Sequence, residues 1–347
     1  MKTYKLAGRK NICRLLVIAF LLIALVASVA VSGVLLFKEH KLDVIQHEAL
    51  EELDELDGEY DTNKIVLSDT SYSRASALAE KFNADLRITA DGKFATLTLP
   101  ENVTVRDIYN QKENRGYLSE LSLDLQSKIS EAEEETTARQ PSSPNYTVTD
   151  TYYSQQSYLN YINLSTTWNS YKGDGITVAI IDTGIDTDHS EFSGKISEYS
   201  YNASEDKIVK DYTLDDGSYD WSLIEDEQGH GTSVAGVIAA SMDGEGITGI
   251  APNVTLLIIK VECSESGAFY RTSDLVFGLY YAIERDVDVV NMSFGGYTAT
   301  NPYAAATKLA VDSDIICVAA AGNEATTQLC YPAADSTVIA VGALAEN

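Results

Sequence analysis

Cysteine and histidine are scarce in this chain, with four of each in 347 residues. Cys13, Cys263, Cys317 and Cys330 form no Cys-x-x-Cys pair and no metal-ligand spacing, which sets aside a cysteine-built metal site. Cys317 lies in the apolar stretch Ile315-Ile316-Cys317-Val318 and reads as a core thiol. Cys263 and Cys330 are candidates for a disulfide if the region is exported, but spacing does not give connectivity. No cysteine sits in a loop with an evident histidine partner. Basic residues are also few: 25 against 52 acidic ones, a net charge of −27. Such a surface repels nucleic acid and offers no basic recognition stripe, so nucleic acid is not an expected partner. Internal repeats and low-complexity tracts are absent.

The basic residues that exist are concentrated at the start. Lys2, Lys5, Arg9, Lys10 and Arg14 precede an uncharged, mostly apolar run from Leu15 to Phe37. That run is long enough to cross a bilayer of about 30 Å as a helix. The charge asymmetry predicts a cytoplasmic segment over 1–14, a transmembrane signal anchor over 15–37 and everything after it outside the cell membrane. Ser28-Val29-Ala30 offers a cleavage site for the alternative, secretion after signal removal. Residues 38–62 read as an acidic, solvated spacer.

Over 63–129 the pattern is compact. A strand at Lys64–Leu67 is followed by a helix at 73–83, with Ala75, Leu78, Ala79 and Phe82 on one face. Two strands follow around the Asp91-Gly92 turn, then a helix from Val103 and a strand over Leu118–Leu125. This β-α-β-β-α-β order predicts a small ferredoxin-like α+β domain. Residues 130–145, with clustered glutamates, Pro141 and Pro144, read as an exposed linker open to proteolysis. From 146 to 347 apolar strands alternate with helices. That predicts an α/β domain with a parallel sheet covered on both faces and functional residues at the carboxyl ends of strands.

Three segments there carry chemistry. Asp182, in Asp182-Thr183-Gly184, ends a predicted strand, where a half-buried carboxylate orients a partner. The same tripeptide marks aspartic proteases, but no second copy exists and the α/β pattern is wrong for that all-β fold. A helix-capping aspartate is the plain alternative. His230 opens a helix between Gly229 and Gly231, which lets backbone and substrate approach a general base. His189 lacks such a setting and reads as structural. Asn323, in Ala321-Gly322-Asn323, follows a strand and is placed to donate to a developing oxyanion.

Taken together, these segments resemble the subtilisin-like serine protease family in order and approximate spacing. Asn291-Met292-Ser293-Phe294-Gly295-Gly296, Tyr331-Pro332-Ala333 and Val338-Ile339-Ala340-Val341-Gly342-Ala343 extend the likeness, which covers roughly Tyr146 to the end. The resemblance implies that Asp182 orients His230, that His230 activates a serine and that Asn323 stabilises the oxyanion. It also implies that Ser293, Phe294 and Gly295 form the edge that pairs with a polypeptide substrate. By the same likeness 63–129 is a propeptide and intramolecular inhibitor, and 130–145 a processing site. Family members bind calcium as a structural ion, which Glu191 and Asp243 are positioned to ligate; the chemistry itself needs no cofactor.

The family's nucleophile lies in a Gly-Thr-Ser-Met-Ala-x-Pro segment, and none occurs here. Gly231-Thr232-Ser233-Val234-Ala235 imitates it, but Ser233 shares an element with His230, at a position where the family usually has a second histidine. The expectation is a zymogen incomplete at its C-terminus and inactive as it stands. The alternative is an inactive pseudoprotease that binds peptides.

Overall fold

The computed structural model describes residues 39, 41–56, 60–129, 147–162, 164–261, 269–298, 301–323 and 326–343. The apolar run Leu15–Phe37, the linker 130–145 and Cys263 fall outside these. Among the described residues no helix is long and apolar enough to cross a membrane. In chain order the first elements are α1 (41–55), β1 (Tyr60–Leu67), α2 (Tyr72–Phe82), β2 (Asp85–Ile88), β3 (Ala95–Thr98), α3 (Val105–Asn110) and β4 (Ser122–Ile129). Then come α4 (Ser157–Tyr161), α5 (Leu164–Thr167), β5 (Thr177–Asp182), β6 (Tyr201–Asn202), β7 (Lys207–Ile208), α6 (His230–Ala239) and β8 (Thr255–Lys260). The last are β9 (Phe269–Arg271), α7 (Thr272–Glu284), β10 (Val289–Met292), β11 (Phe294–Gly295), α8 (Asn301–Asp312), β12 (Ile316–Ala320) and β13 (Ile339–Val341).

The chain divides into two compact units, Met1–Asp57 with Val103–Leu121, and Gly58–Asn102 with Ser122–Asn347. In the first, the segment expected to be a solvated spacer is largely the helix α1. Leu42, Ile45, Ala49, Leu53 and Leu56 recur at helical spacing, and Leu53 is fully buried while the acidic side chains face out. Arg115 pairs with Glu39 at 2.8 Å and with Asp43, and Arg106 with Asp54 at 2.7 Å. The acidic composition hid an amphipathic face.

The second unit holds two sheets. The smaller has the antiparallel core order β4-β1-β3-β2, the strand order of the expected layout. Ala75, Leu78, Ala79 and Phe82 of α2 are buried, as the periodicity predicts. The final strand differs from expectation: 118–120 is a short 3-10 turn, and β4 runs on to Ile129. Its extra length is held by partners distant in sequence. Residues 126–128 pair antiparallel with β9, and Lys128 and Ile129 with β11.

The larger sheet has the order β13-β12-β10-β5-β8-β6-β7, parallel except for the β6–β7 hairpin. Residues alternate between its faces. Val178 and Ile180 of β5 pack toward Ala235 and Ala239 of α6, and Ala179 and Ile181 toward α7 and α8. From β5 the chain builds to β8 on one side and to β10, β12 and β13 on the other. The crevice between β5 and β10 is therefore the topological switch point, where α/β sheets bind ligands. Cys317 is a buried free thiol, as expected.

Helix α7 is buried almost all round, because the small sheet covers its outer face with Val66 and Phe94. Its amino end is capped from β4: Asp124 accepts the Ser273 N–H at 2.7 Å and the Ser273 hydroxyl at 2.6 Å. Burial, then the nearby Asp274, pushes the Asp124 carboxyl up to about 6, against the two bonds from Ser273 and the pull of Lys64. Between about pH 4 and 6 the folded chain keeps a proton there that the unfolded chain releases, so this group adds stability as pH falls from 7 to 5. Asp124→Asn should shrink the gain in Tm between pH 7 and pH 5; an unchanged gain would mean that another group titrates.

Candidate active site

Asp182 closes β5 with the parity of Val178 and Ile180, so its carboxylate faces α6 rather than α7. His230 is the first residue of α6. The two meet: Nδ1 of His230 lies 2.7 Å from Oδ1 of Asp182. Asp182 is fully buried, and the His230 side chain is 18% exposed. The imidazole is thus held by a carboxylate at Nδ1 while its side chain keeps partial access to solvent. A carboxylate only accepts, so Nδ1–H donates to Asp182 and Nε2 is left as the basic nitrogen of the neutral ring. The Asp182 carboxylate also accepts the backbone N–H of Thr183, at 2.8 Å, which is its one backbone donor among the described residues. Its Oδ2 is buried with no hydrogen-bond partner among the described residues.

Two glycines permit this approach. A Cβ on Gly231 would stand 2.3 Å from the Gly184 carbonyl oxygen. Gly184 has φ +121°, and a Cβ there would meet the Ile224 carbonyl oxygen at 2.5 Å. Helix and strand end therefore touch backbone to backbone, with Gly231 N–H donating to Thr183 Oγ1 at 2.9 Å.

Asp226, which sequence reading passed over, secures the helix start. Its Oδ1 accepts Gly229 N–H at 2.9 Å, and its Oδ2 accepts Thr232 N–H at 2.8 Å and the Thr232 hydroxyl at 2.7 Å. Burial works to raise its pKa, but the bonds from Thr232, Gly229 and Thr183 outweigh it and hold the carboxyl below the usual range. An acidic residue four positions before a predicted helix start was the available signal. Tyr270 was missed as well. It is fully buried on β9, packs edge-on against Phe294 at 5.2 Å and directs its hydroxyl at Asp182 Oδ1 from 3.4 Å.

The other expected residues divide. Phe294 and Gly295 form β11 and pair with β4, while Ser293 Oγ accepts from Asn291 Nδ2 at 2.9 Å. Asn323 is exposed just beyond β12, at the same end of the sheet. Ser233 is also exposed and donates to the Gly229 carbonyl at 2.8 Å. A cavity of about 280 Å³ opens beside Thr183 and Gln228, walled by Glu205, Glu227 and Lys260.

Glu191 and Asp243 lie at a different place, around the loop 241–246. Glu191 accepts the Ser241 N–H at 2.8 Å, and Asp150 accepts that of Gly244 at 2.6 Å. Burial, then Asp243 and Asp150, pushes the Glu191 carboxyl up against the bond from Ser241. Among the described residues no group of three or more His, Cys, Asp or Glu is gathered to hold a metal. His189 is exposed, and its Nδ1 accepts the Glu191 N–H at 3.3 Å.

The family model of the subtilase family, Peptidase_S8, matches residues 173–347. An intracellular serine protease of Paenibacillus polymyxa is 39% identical over 182 residues, 51% of this chain and 52% of that protein. The major intracellular serine protease of Bacillus subtilis (strain 168) is 40% identical over 178 residues, 50% of this chain and 52% of that protein. The chain thus spans about half the length of these relatives. Fervidolysin from Fervidobacterium pennivorans, described as a keratinolytic enzyme related to subtilisin, has the same fold. Its crystal structure aligns with a TM-score of 0.65 at 22% identity, over 82% of this chain and 43% of that one.

The backbone contact between α6 and β5 is testable in isolation. Gly231→Ala should lower the unfolding free energy by about 2 kcal/mol in urea titration, since neither backbone can yield. A neutral substitution would show that the two elements are not in contact.

Proposed function

The chain belongs to the subtilase family, and on that premise we propose that it belongs to a serine endopeptidase precursor. The observation that carries this reading is the buried Asp182 carboxylate holding His230 at 2.7 Å. A serine hydroxyl supplied by a following segment attacks the peptide carbonyl and gives its proton to His230 Nε2. Asn323 donates to the oxyanion that forms. As the tetrahedral species collapses, the C–N bond breaks and His230 returns the proton to the leaving amine. Water then releases the acyl group by the reverse sequence. Asp182 stays ionised throughout and stabilises the imidazolium. Polypeptides are the substrates, paired with the edge that includes Ser293, Phe294 and Gly295.

The pairing of β4 with β9 and β11 supports an inhibitory role for the N-terminal region. A strand already seated between two edges excludes an incoming peptide from them. The linker 130–145 follows β4 directly and is the proposed processing site. From the charge asymmetry around Leu15–Phe37 we place the catalytic domain outside the cell, anchored in the membrane. The two serine proteases named above are described as intracellular, so location needs its own readout.

Two experiments test this reading. The chain extended through its following segment should react with a membrane-impermeant fluorophosphonate on intact cells, and His230→Ala should abolish the reaction. Labelling only after lysis would refute the location and keep the chemistry. No labelling in either case, with retained peptide affinity, would favour the pseudoprotease. In the active protein Asn323→Ala should cost roughly 10²–10³ in kcat, the magnitude known from subtilisin itself. Calcium is the proposed structural ion at the loop 241–246, where the oxygen donors of Glu191 and Asp243 suit a hard cation that relieves their repulsion. Calcium should raise Tm relative to chelator, and the double variant Glu191→Gln, Asp243→Asn should lose that gain.

A further inference from the structure

Arg87 of β2 reaches across to the body of the larger sheet and its helices. Its guanidinium carbon lies 3.8 Å from the centre of the Phe277 ring on α7. Its Nη2 donates to the Tyr201 hydroxyl at 2.5 Å and to Asp206 Oδ1 at 3.2 Å. Tyr201 in turn donates to the same Asp206 oxygen at 2.7 Å and stacks on Tyr281 at 4.3 Å. The Arg87 side chain is 23% exposed, with Nε buried, and that of Asp206 is 62% exposed. A cavity of about 280 Å³ continues past it, and Asp211 and Glu284 add negative charge to its wall. These residues come from β2, β6, the turns after β6 and β7, and α7, so only the fold assembles them.

A flat aromatic face, a phenol and a carboxylate around one planar cation select a guanidinium over an ammonium. The ring takes the delocalised plane, and the oxygens take N–H groups that diverge from it. The neighbouring aromatic faces are used in the same way: Arg285 lies 4.6 Å from the Tyr199 ring centre and 5.3 Å from that of Tyr281. Arg87 Nε is buried with no hydrogen-bond partner among the described residues, a cost that the stack and the ion pair must exceed.

We propose that Phe277, Tyr201 and Asp206 form a guanidinium-binding seat on the subtilase body, filled in cis by Arg87 and able to take an arginine side chain of a peptide once vacated. None of the machinery assigned to Asp182 and His230 takes part. Vacation by processing rests on the protease reading above, whereas the seat itself does not, so the test uses no catalytic readout.

The full chain carrying Arg87→Ala opens the seat without removing its walls. Hydrogen exchange of the β2 and β3 amides should become about tenfold faster, since the anchored edge opens more often. Ethylguanidinium should slow that exchange again, and ethylammonium at the same concentration should not. Unchanged exchange, or equal rescue by both cations, would overturn the proposal. If Arg87→Ala does not fold, Phe277→Leu carries the test. It keeps Arg87 and the ion pair but removes the aromatic face, so β2 amides should again exchange faster, and unchanged exchange would refute the seat.

Discussion

The amino end of α6 rests directly on the carboxyl end of β5, with no side chain between the two backbones. Gly231 and Gly184 make this contact possible, and Thr183 Oγ1 and Asp226 supply the hydrogen bonds that offset it. The rest of the site follows from that approach. The parity of β5 aims Asp182 at the helix, the helix begins with His230, and the separation left between them is one hydrogen bond. A bulkier residue at either glycine would push the elements apart and leave a fully buried carboxylate without its cation-forming partner, a costly state.

The second organising feature is β4. Its first half completes the small antiparallel sheet through β1, and its second half lies against β9 and β11. In between, Asp124 caps α7 through Ser273. One strand therefore joins a sheet, a helix terminus and the edges beside the site. Tyr270 ties these together, since it sits on β9, packs on Phe294 of β11 and directs its hydroxyl at Asp182. Arg87 makes a separate attachment at the far edge of the same small sheet.

Likeness to known proteins enters at two levels. The subtilase family model, matching residues 173–347, fixes the family, and identity near 40% with serine proteases over half of this chain agrees with it. The resemblance to fervidolysin at 22% identity speaks to the fold, and it extends over 82% of the chain, well beyond the part matched by the family model.

Much of the architecture was legible in the sequence because it depends on local pattern. The 3.6-residue period of α2 named its four buried residues, and the apolar runs of β5, β8 and β12 announced a parallel sheet covered on both faces. Asp182 and His230 were legible because each stands in a short glycine-bearing segment whose order along the chain is distinctive. Other features were not legible. The helix α1 was masked by acidic composition, and the end of β4 was misjudged because its partners lie some 140 to 170 residues away, as register pairs such as Ser127 with Tyr270 and Ile129 with Phe294 show. Asp226, Tyr270, Asp124 and the Arg87 seat have no local signature, since each owes its role to neighbours brought in from other segments. The sequence by itself determined most of the elements and singled out the pair Asp182 and His230, because periodicity and glycine placement act over a few residues. Only the tertiary structure decided which strand lies beside the site, which carboxylates are buried and which aromatic face meets a cation, because burial and electrostatics depend on distances that chain order does not encode.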